Sequence, residues 1–263
     1  MTTPVFIVSS GRSGTAALAR LLNTFDGVEM HHEYAVQYIQ PTAVKYYHGL
    51  MSIKDVIDVL WQTHGAGFYY TESKIWGDCS NKISWLVPAL SWMFPQAKWI
   101  QVVRDGRKVV SSFYNKLKDE CYSDQDVMAG WVDNSIVLAP PPEKKYWWNV
   151  SPYDTQFESI CWHWKEIHET IEADFEQVDD KRTIRLEDLV ADSYILADLL
   201  KWLDLEYSPE KFHMLQRPYN VHTPKDTMLT DEQLEKFWNI CSATMAHFGY
   251  DEEEYEMTYE HPV

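Results

Sequence analysis

The sequence Ser-Ser-Gly-Arg-Ser-Gly-Thr at residues 9–15 combines residue types that bind a phosphate or sulfate group. It lies between a short apolar run at residues 5–8 and an apolar stripe that begins at Leu18. Its two glycines permit a tight turn, and a helix starting after the turn presents unpaired backbone N–H groups and a positive dipole end. Its arginine adds a planar fork of donors that matches phosphate and sulfate oxygens. The segment predicts an anion-binding loop, with an ordinary glycine-rich turn as the alternative.

This loop differs from the common glycine motifs of other enzyme classes. A Walker A loop carries a lysine, whereas here Gly14 and Thr15 are followed by Ala16 and Ala17. The GxGxxG pattern is absent, and the GxSxG elbow of hydrolases needs a glycine where Thr15 stands. A nucleotide kinase and a serine hydrolase are therefore disfavoured alternatives.

A second candidate anion site follows the apolar run at residues 99–103. Arg104 ends this run, and Ser112 comes eight residues later within Arg-Asp-Gly-Arg-Lys-Val-Val-Ser-Ser. An arginine at the carboxyl end of a strand and a serine in the next helix can hold one anion together. A solvated surface arginine is the alternative interpretation of this segment alone.

A third candidate is the segment Met-His-His-Glu-Tyr at residues 30–34, which offers a general base. Glu33 is the first choice for the base and His32 is the rival, with a simple surface turn as the alternative. A zinc motif HExxH would need a second histidine where Val36 stands. The four cysteines, at positions 79, 121, 161 and 241, form no CxxC pair, so we expect no metal site.

Strands and helices alternate around these motifs. Apolar runs predict buried strands at residues 5–8, 99–103 and 183–186. Helical apolar stripes begin at Leu18, Ile83, Val110, Phe157, Leu196 and Leu234. Capping boxes, Thr155 with Glu158 and Thr230 with Gln233, mark the starts of two of these helices. The pattern predicts an α/β fold with a mostly parallel sheet whose ligand lies at the carboxyl ends of the strands.

The chain is expected to form a single domain over residues 1–263. An irregular region at about residues 120–153 contains Pro-Pro-Pro and several tryptophans, and we interpret it as a lid or substrate loop. Five tryptophans are candidates for an acceptor pocket: Trp131, Trp147, Trp148, Trp162 and Trp164. Trp164 has helical spacing that also fits the core.

Charge is distributed unevenly along the 263 residues, whose net charge is −17. Residues 1–119 hold 12 Lys and Arg against 9 Asp and Glu, whereas residues 120–263 hold 11 against 31. Such a protein repels nucleic acid and anionic membranes, so neither is an expected partner, and an anionic ligand should bind in the first half. No apolar stretch of about 18 residues and no signal peptide are present, so we expect a cytoplasmic protein with reduced thiols.

Taken together, these segments resemble the sulfotransferase superfamily that uses 3′-phosphoadenosine-5′-phosphosulfate (PAPS), in particular its protein-tyrosine, carbohydrate-type and bacterial branches. GRSGTAALARLL is similar to the 5′-phosphosulfate loop of the family, and WIQVVRDGRKVVSSFY to its 3′-phosphate motif. KISWLVPALSWMFPQAKW, TIRLEDLVAD and the final HFGY are similar to further family landmarks. The resemblance implies a P-loop-like three-layer fold, with a central parallel sheet flanked by helices.

The resemblance also implies roles for individual residues. The 5′-phosphosulfate would be held by Gly11, Arg12, Ser13, Gly14, Thr15 and Ala16. Arg104 and Ser112 would bind the 3′-phosphate, and Lys225 would reach the donor phosphates. The catalytic residues would be Arg12 and, 21 residues later, Glu33, with His32 as the rival base. The implied reaction moves a sulfuryl group by in-line displacement to a hydroxyl or amine of a small molecule, leaves PAP as product and needs no metal.

Two positions depart from the family pattern. Many relatives carry a lysine directly after Gly-Asp, but here Cys79 follows Asp78, with Lys74 and Lys82 on either side, so that role stays open. Leu186 stands where an adenine-stacking tyrosine often precedes Glu-Asp. A catalytically inactive nucleotide-binding protein of the same fold is therefore a second alternative, beside the kinase.

Overall fold

A five-stranded parallel sheet forms the middle layer of the computed structural model, which describes residues 2–119, 156–217 and 229–251. The strands are β1 (Thr3–Val8), β2 (Val28–His32), β3 (Ile75–Cys79), β4 (Lys98–Val103) and β5 (Lys181–Arg185). Their order across the sheet is β2-β3-β1-β4-β5, and every neighbouring pair is parallel. The carboxyl ends of all five strands therefore lie along one edge, which collects the segments that follow them.

Helices follow or connect the strands in the order α1 (Thr15–Leu22), α2 (Val36–Tyr47), α3 (Ile53–Leu60), α4 (Ala66–Tyr70), α5 (Val87–Met93), α6 (Gly106–Asp119), α7 (Gln156–Phe175), α8 (Leu186–Ala191), α9 (Ser193–Trp202), α10 (Pro209–Gln216) and α11 (Asp231–His247). A π-helical turn, Trp61–Gly65, joins α3 to α4, and a 3-10 turn, Ile83–Trp85, precedes α5. Among the described helices, none combines the length and the apolar character needed to cross a membrane.

Side chains of β1 alternate between two apolar cores, as the pleat of a strand requires. Val5 and Ile7 pack with residues of α1, α9 and α10 on one face of the sheet. Phe6 and Val8 pack with residues of α2, α3, α5 and α7 on the other face. A third cluster joins α6, α7 and α11 beyond the end of β4. The predicted three-layer α/β architecture is confirmed.

Local sequence signals match the observed elements closely at several points. The expected strands at residues 5–8 and 99–103 lie within β1 and β4. The third ends one residue early, because Leu186 already begins α8. The capping box of Thr230 and Gln233 is present at the start of α11. The region at about 120–153 and Thr155 lie outside the described residues, and the single-domain organisation stays a prediction.

Gly77 on β3 lies so close to β1 that no side chain fits there. A Cβ at this position would lie 2.0 Å from the carbonyl oxygen of Val5. We expect Gly77→Ala to lower the free energy of unfolding by about 3 kcal/mol, measured by urea denaturation. Gly49→Ala is the matched control, since its Cβ meets nothing within 4 Å and only its φ of +71° is strained, at about 1–2 kcal/mol. Equal losses in the two variants would contradict this packing argument.

Candidate active site

The loop between β1 and α1 is held in shape by hydrogen bonds of its own and by one bridge to the 3-10 turn. The Ser13 hydroxyl donates to the Gly11 carbonyl at 2.9 Å and is fully buried, so this side chain braces the loop from inside. The Ser9 N–H donates to the Ser84 hydroxyl at 2.9 Å, and that hydroxyl lies 3.0 Å from the Ser9 carbonyl. The loop therefore has a defined shape without a ligand.

Gly14 connects the loop to α1 and satisfies two constraints at once. Its φ of +74° is in the left-handed region, and it occupies the N-cap position of α1 without a side-chain cap. A Cβ at Gly14 would lie 2.8 Å from the Leu186 side chain, which packs over the loop from α8. The N-terminus of α1, including Thr15 and Ala16, thus has no capping side chain in the described structure, which suits an anion.

The two predicted anion motifs meet in the structure. The Arg12 Nε donates to the Ser112 hydroxyl at 3.0 Å, across 100 residues of sequence. The Arg104 Nη1 donates to the Arg12 carbonyl at 2.8 Å, across 92 residues. Arg104 and Ser112 are 9% and 7% exposed, so both face a largely desolvated space. Two guanidinium groups and a helix N-terminus converge here, and such a cluster can bind a polyanion.

A hydrogen-bonded network behind Arg104 holds the turn from β4 to α6. Arg107 is buried and pairs with the Asp105 carboxylate at 2.8 Å. The Glu187 carboxylate accepts from the Asp105 N–H at 3.1 Å and from the Tyr250 hydroxyl at 2.7 Å. Burial and the neighbouring Glu187 raise the pKa of Tyr250 far above its usual value, so the phenol stays a donor. The network therefore ties α8 and Tyr250, which follows α11, to Asp105, the residue after Arg104.

Glu33 directly follows β2 and forms an ion pair with Lys82. Its N–H donates to the Cys79 carbonyl at 3.1 Å, which joins the turn after β2 to the end of β3. The Lys82 side chain is 11% exposed and that of Glu33 is 33% exposed. Lys82 thus contacts the candidate base, a contact that the sequence did not predict; its position three residues after the end of β3 was the available signal.

Cys79 cannot supply a cation at the position where many relatives carry lysine. It is fully buried, and burial together with the neighbouring Asp78 raises the pKa of its thiol. The Thr15 hydroxyl lies beside this thiol. The cation that follows β3 is Lys82, which pairs with the carboxylate of Glu33.

The remaining predicted residues divide into three groups. His32 is exposed on β2, and its side chain makes no hydrogen bond within the part of the chain that the structure describes. Trp164 is fully buried against Phe237, and Trp162 packs 6.2 Å from the Tyr47 ring, so both belong to the apolar interior. The other candidates, Lys225, Trp131, Trp147 and Trp148, lie outside the described residues. Within residues 2–119, 156–217 and 229–251, no three His, Cys, Asp or Glu side chains are grouped to hold a metal ion.

His163 on α7 lies directly behind the loop, where sequence reasoning placed nothing. Its ring is buried between Trp85, at 5.8 Å, and Phe113, at 6.2 Å. It lies near the Ser10 backbone, but neither ring nitrogen forms a hydrogen bond of ordinary geometry within the described chain. Burial and the charge of Lys82 lower the pKa of His163 to about 4, so the ring is neutral at pH 7.

This buried neutral histidine makes stability depend on pH. Because the unfolded chain binds a proton near pH 6.5 and the folded chain only near pH 4, stability falls as the pH drops from 6.5 towards 4. We expect His163→Phe to remove about 3 kcal/mol of this pH-dependent loss, measured by urea denaturation across that range. Exposed His213→Phe controls for the substitution itself. A His163→Phe protein that follows the wild-type pH curve would refute the assignment.

Comparison with known proteins agrees with this architecture. A model of the Sulfotransferase family matches residues 4–134, which contain the loop, Glu33, Lys82, Arg104 and Ser112. No curated protein matched the sequence.

Three solved structures share the fold at low sequence identity. The sulfotransferase domain of the curacin biosynthetic pathway is 16% identical with a TM-score of 0.53, over 95% of this chain and 99% of that one. A sulfotransferase from Alicyclobacillus acidocaldarius is 13% identical with a TM-score of 0.52, over 95% of this chain and 97% of that one. A mouse sulfotransferase complexed with PAP is 11% identical with a TM-score of 0.50, over 93% of this chain and 85% of that one. The family match and the shared P-loop-like fold, with both anion motifs in contact, show that this chain belongs to the sulfotransferase family.

Proposed function

We propose that this chain transfers a sulfuryl group from PAPS to a hydroxyl or amine of a small-molecule acceptor. The observation that carries the proposal is the junction of Arg12, Ser112 and Arg104 at the N-terminus of α1. A donor with phosphates at both its 5′ and 3′ positions needs two adjacent anion sites, and this junction supplies them. The mouse sulfotransferase of the same fold is a PAP complex, which supports a nucleotide of this type.

The residues present fit such a donor. The N-terminus of α1 and Arg12 would hold the 5′-phosphosulfate, while Arg104 and Ser112 would hold the 3′-phosphate. Lys225, before α11, is proposed as a further phosphate contact. Leu186 covers Gly14 and would present an aliphatic surface to the nucleotide in place of an aromatic one. When bound, the donor supplies the sulfuryl group and a phosphate leaving group.

The chemical step needs a proton acceptor and stabilisation of the charge that develops on the leaving phosphate. An acceptor O–S or N–S bond forms while the S–O bond to the phosphate breaks, and the acceptor proton passes to the Glu33 carboxylate. Arg12 and Lys82 stabilise the negative charge because they are fixed before the reaction begins. Lys82 contacts the proposed base directly, so the same ammonium group would position Glu33 and stabilise the leaving phosphate.

A catalytically inactive nucleotide-binding protein is the second candidate, and Cys79 is the observation that favours it. This thiol replaces the lysine of many relatives and is buried. Lys82 argues for activity, since it brings an ammonium group to the Glu33 carboxylate at the same edge of the sheet. The acceptor itself is proposed to be neutral or cationic, because the chain carries a net charge of −17. We place the reaction in the cytoplasm, in line with buried free thiols.

The donor assignment is tested by calorimetry with PAP and with 5′-AMP, which lacks the 3′-phosphate. Each charge-assisted hydrogen bond contributes about 1.5–3 kcal/mol, so PAP should bind at least about tenfold more tightly than 5′-AMP. Arg104→Ala should remove most of this difference. The matched control is Arg182→Ala, which removes a half-buried arginine paired with Asp198 at the opposite end of the sheet. Equal affinity of the wild-type protein for the two nucleotides would exclude the 3′-phosphate site.

The base is tested by single-turnover transfer from radiolabelled PAPS to 4-nitrophenol, benzyl alcohol or benzylamine, with release of sulfate to water followed in parallel. Glu33→Gln keeps the shape of the side chain and removes its basicity, so we expect a rate loss of about 10²–10⁴-fold with PAP affinity unchanged. His32→Asn should cost far less. The reverse order would make His32 the base, and near-native rates in both variants would leave neither residue in that role. A protein that binds PAP tightly and transfers nothing would be the inactive alternative.

A further inference from the structure

The carboxylate of Asp78, on β3, is one of the most heavily hydrogen-bonded side chains near the site. Its Oδ1 accepts from the N–H groups of Tyr34, at 3.0 Å, and Cys79, at 2.8 Å. Its Oδ2 lies 3.1 Å from the Nε2 of His64. Both the Asp78 and the His64 side chains are 0% exposed. Burial of a carboxylate lowers the stability of a fold unless its oxygens are hydrogen-bonded. The three contacts satisfy both oxygens of Asp78, and they fix the groups that make them.

The backbone that Asp78 holds is the strained turn that carries Glu33. Glu33 has a φ of +59° and Ala35 a φ of +50°, and both are non-glycine residues in the left-handed region. Such residues cost about 1–3 kcal/mol each and persist only where their surroundings determine the conformation. Here the Glu33 N–H bonds to Cys79 and the Tyr34 N–H bonds to Asp78. Two consecutive amides are thus fastened to the end of β3.

His64 reaches Asp78 because the helix that carries it is locally widened. The π-helical turn Trp61–Gly65 is a rare conformation that is frequent at functional sites. The Nδ1 of His64 lies 3.2 Å from the Thr63 hydroxyl, so both ring nitrogens have partners. The Tyr34 ring packs edge-on against His64 at 5.4 Å. His64 therefore contacts the turn twice, through Asp78 and through the ring of Tyr34.

We propose that Asp78 and His64 form a positioning pair, which holds the turn at residues 33–35 so that the Glu33 carboxylate stays paired with Lys82. The inference rests on the proposed function, in which Glu33 accepts the proton of the acceptor. Neither member of the pair touches the reacting atoms. The pair acts through Glu33, and a loss of the His64 hydrogen bond lets the strained turn relax and the carboxylate move away.

The first test is hydrogen exchange, which needs no acceptor. His64→Phe keeps a planar ring and removes the donor, whereas His64→Gln keeps an N–H group close to the position of Nε2. We expect the amides of Glu33 and Tyr34 to exchange at least about tenfold faster in His64→Phe, with β1 unchanged, and near-native exchange in His64→Gln. Unchanged exchange at the turn, or an equal increase in β1, would overturn the proposal. Should His64→Phe fail to fold, Asp78→Asn replaces it, since the amide stays isosteric but no longer accepts from His64.

The second test asks whether the pair acts through Glu33. His64→Phe is made in the wild-type protein and in Glu33→Gln, and single-turnover transfer to 4-nitrophenol, or to water, is compared with PAP affinity. We expect His64→Phe to slow transfer about 10- to 100-fold in the wild type and less than about twofold in Glu33→Gln, with PAP affinity unchanged in both. An equal loss in both backgrounds would show a general structural role. Glu33→Gln alone reports on the base, so failure of the proposed function is seen separately from failure of the pair.

Discussion

All five strands of the sheet run in the same direction, and this constraint decides where the described residues of the candidate site lie. The loop follows β1, Glu33 follows β2, Lys82 follows β3 and Arg104 follows β4. Because β1 lies between β3 and β4, the segments that carry Lys82 and Arg104 lie on either side of its loop. The close approach of Gly77 to Val5 keeps β1 and β3 in this arrangement, since any side chain there would separate the strands.

Strain is concentrated at the same edge of the sheet. Among the described residues, four non-glycine residues have a positive φ, and Arg12, Glu33 and Ala35 are three of them. Arg104, which follows β4, holds the Arg12 carbonyl, and Cys79 and Asp78 at the end of β3 hold the turn that contains Glu33 and Ala35. Strained backbone that its neighbours over-determine is typical of pre-organised sites. The sheet thus supplies rigidity that the short loops alone do not have.

The charges of the site are a local exception in an acidic protein. Arg12, Arg104 and Lys82 come from the first 119 residues, in which basic side chains outnumber acidic ones. The acidic second half contributes support: Glu187 holds the turn after Arg104, and Leu186 packs over Gly14. Cys79, not a lysine, follows Asp78, and Lys82 reaches Glu33 from the segment that follows β3.

The sequence by itself determined the α/β class, the strands β1 and β4, the capping box of α11 and the two anion motifs, because each has a local pattern of periodicity or glycine spacing. It did not reveal β3, whose Ile-Trp-Gly-Asp-Cys is short, lacks alternation and includes a glycine and an aspartate. Only the tertiary structure decided that Arg12 bonds to Ser112, that Lys82 pairs with Glu33 and that His64 reaches Asp78. The partners in these three pairs are 100, 49 and 14 residues apart in the sequence. Hydrogen bonds between such distant segments leave no periodic signal in a single sequence.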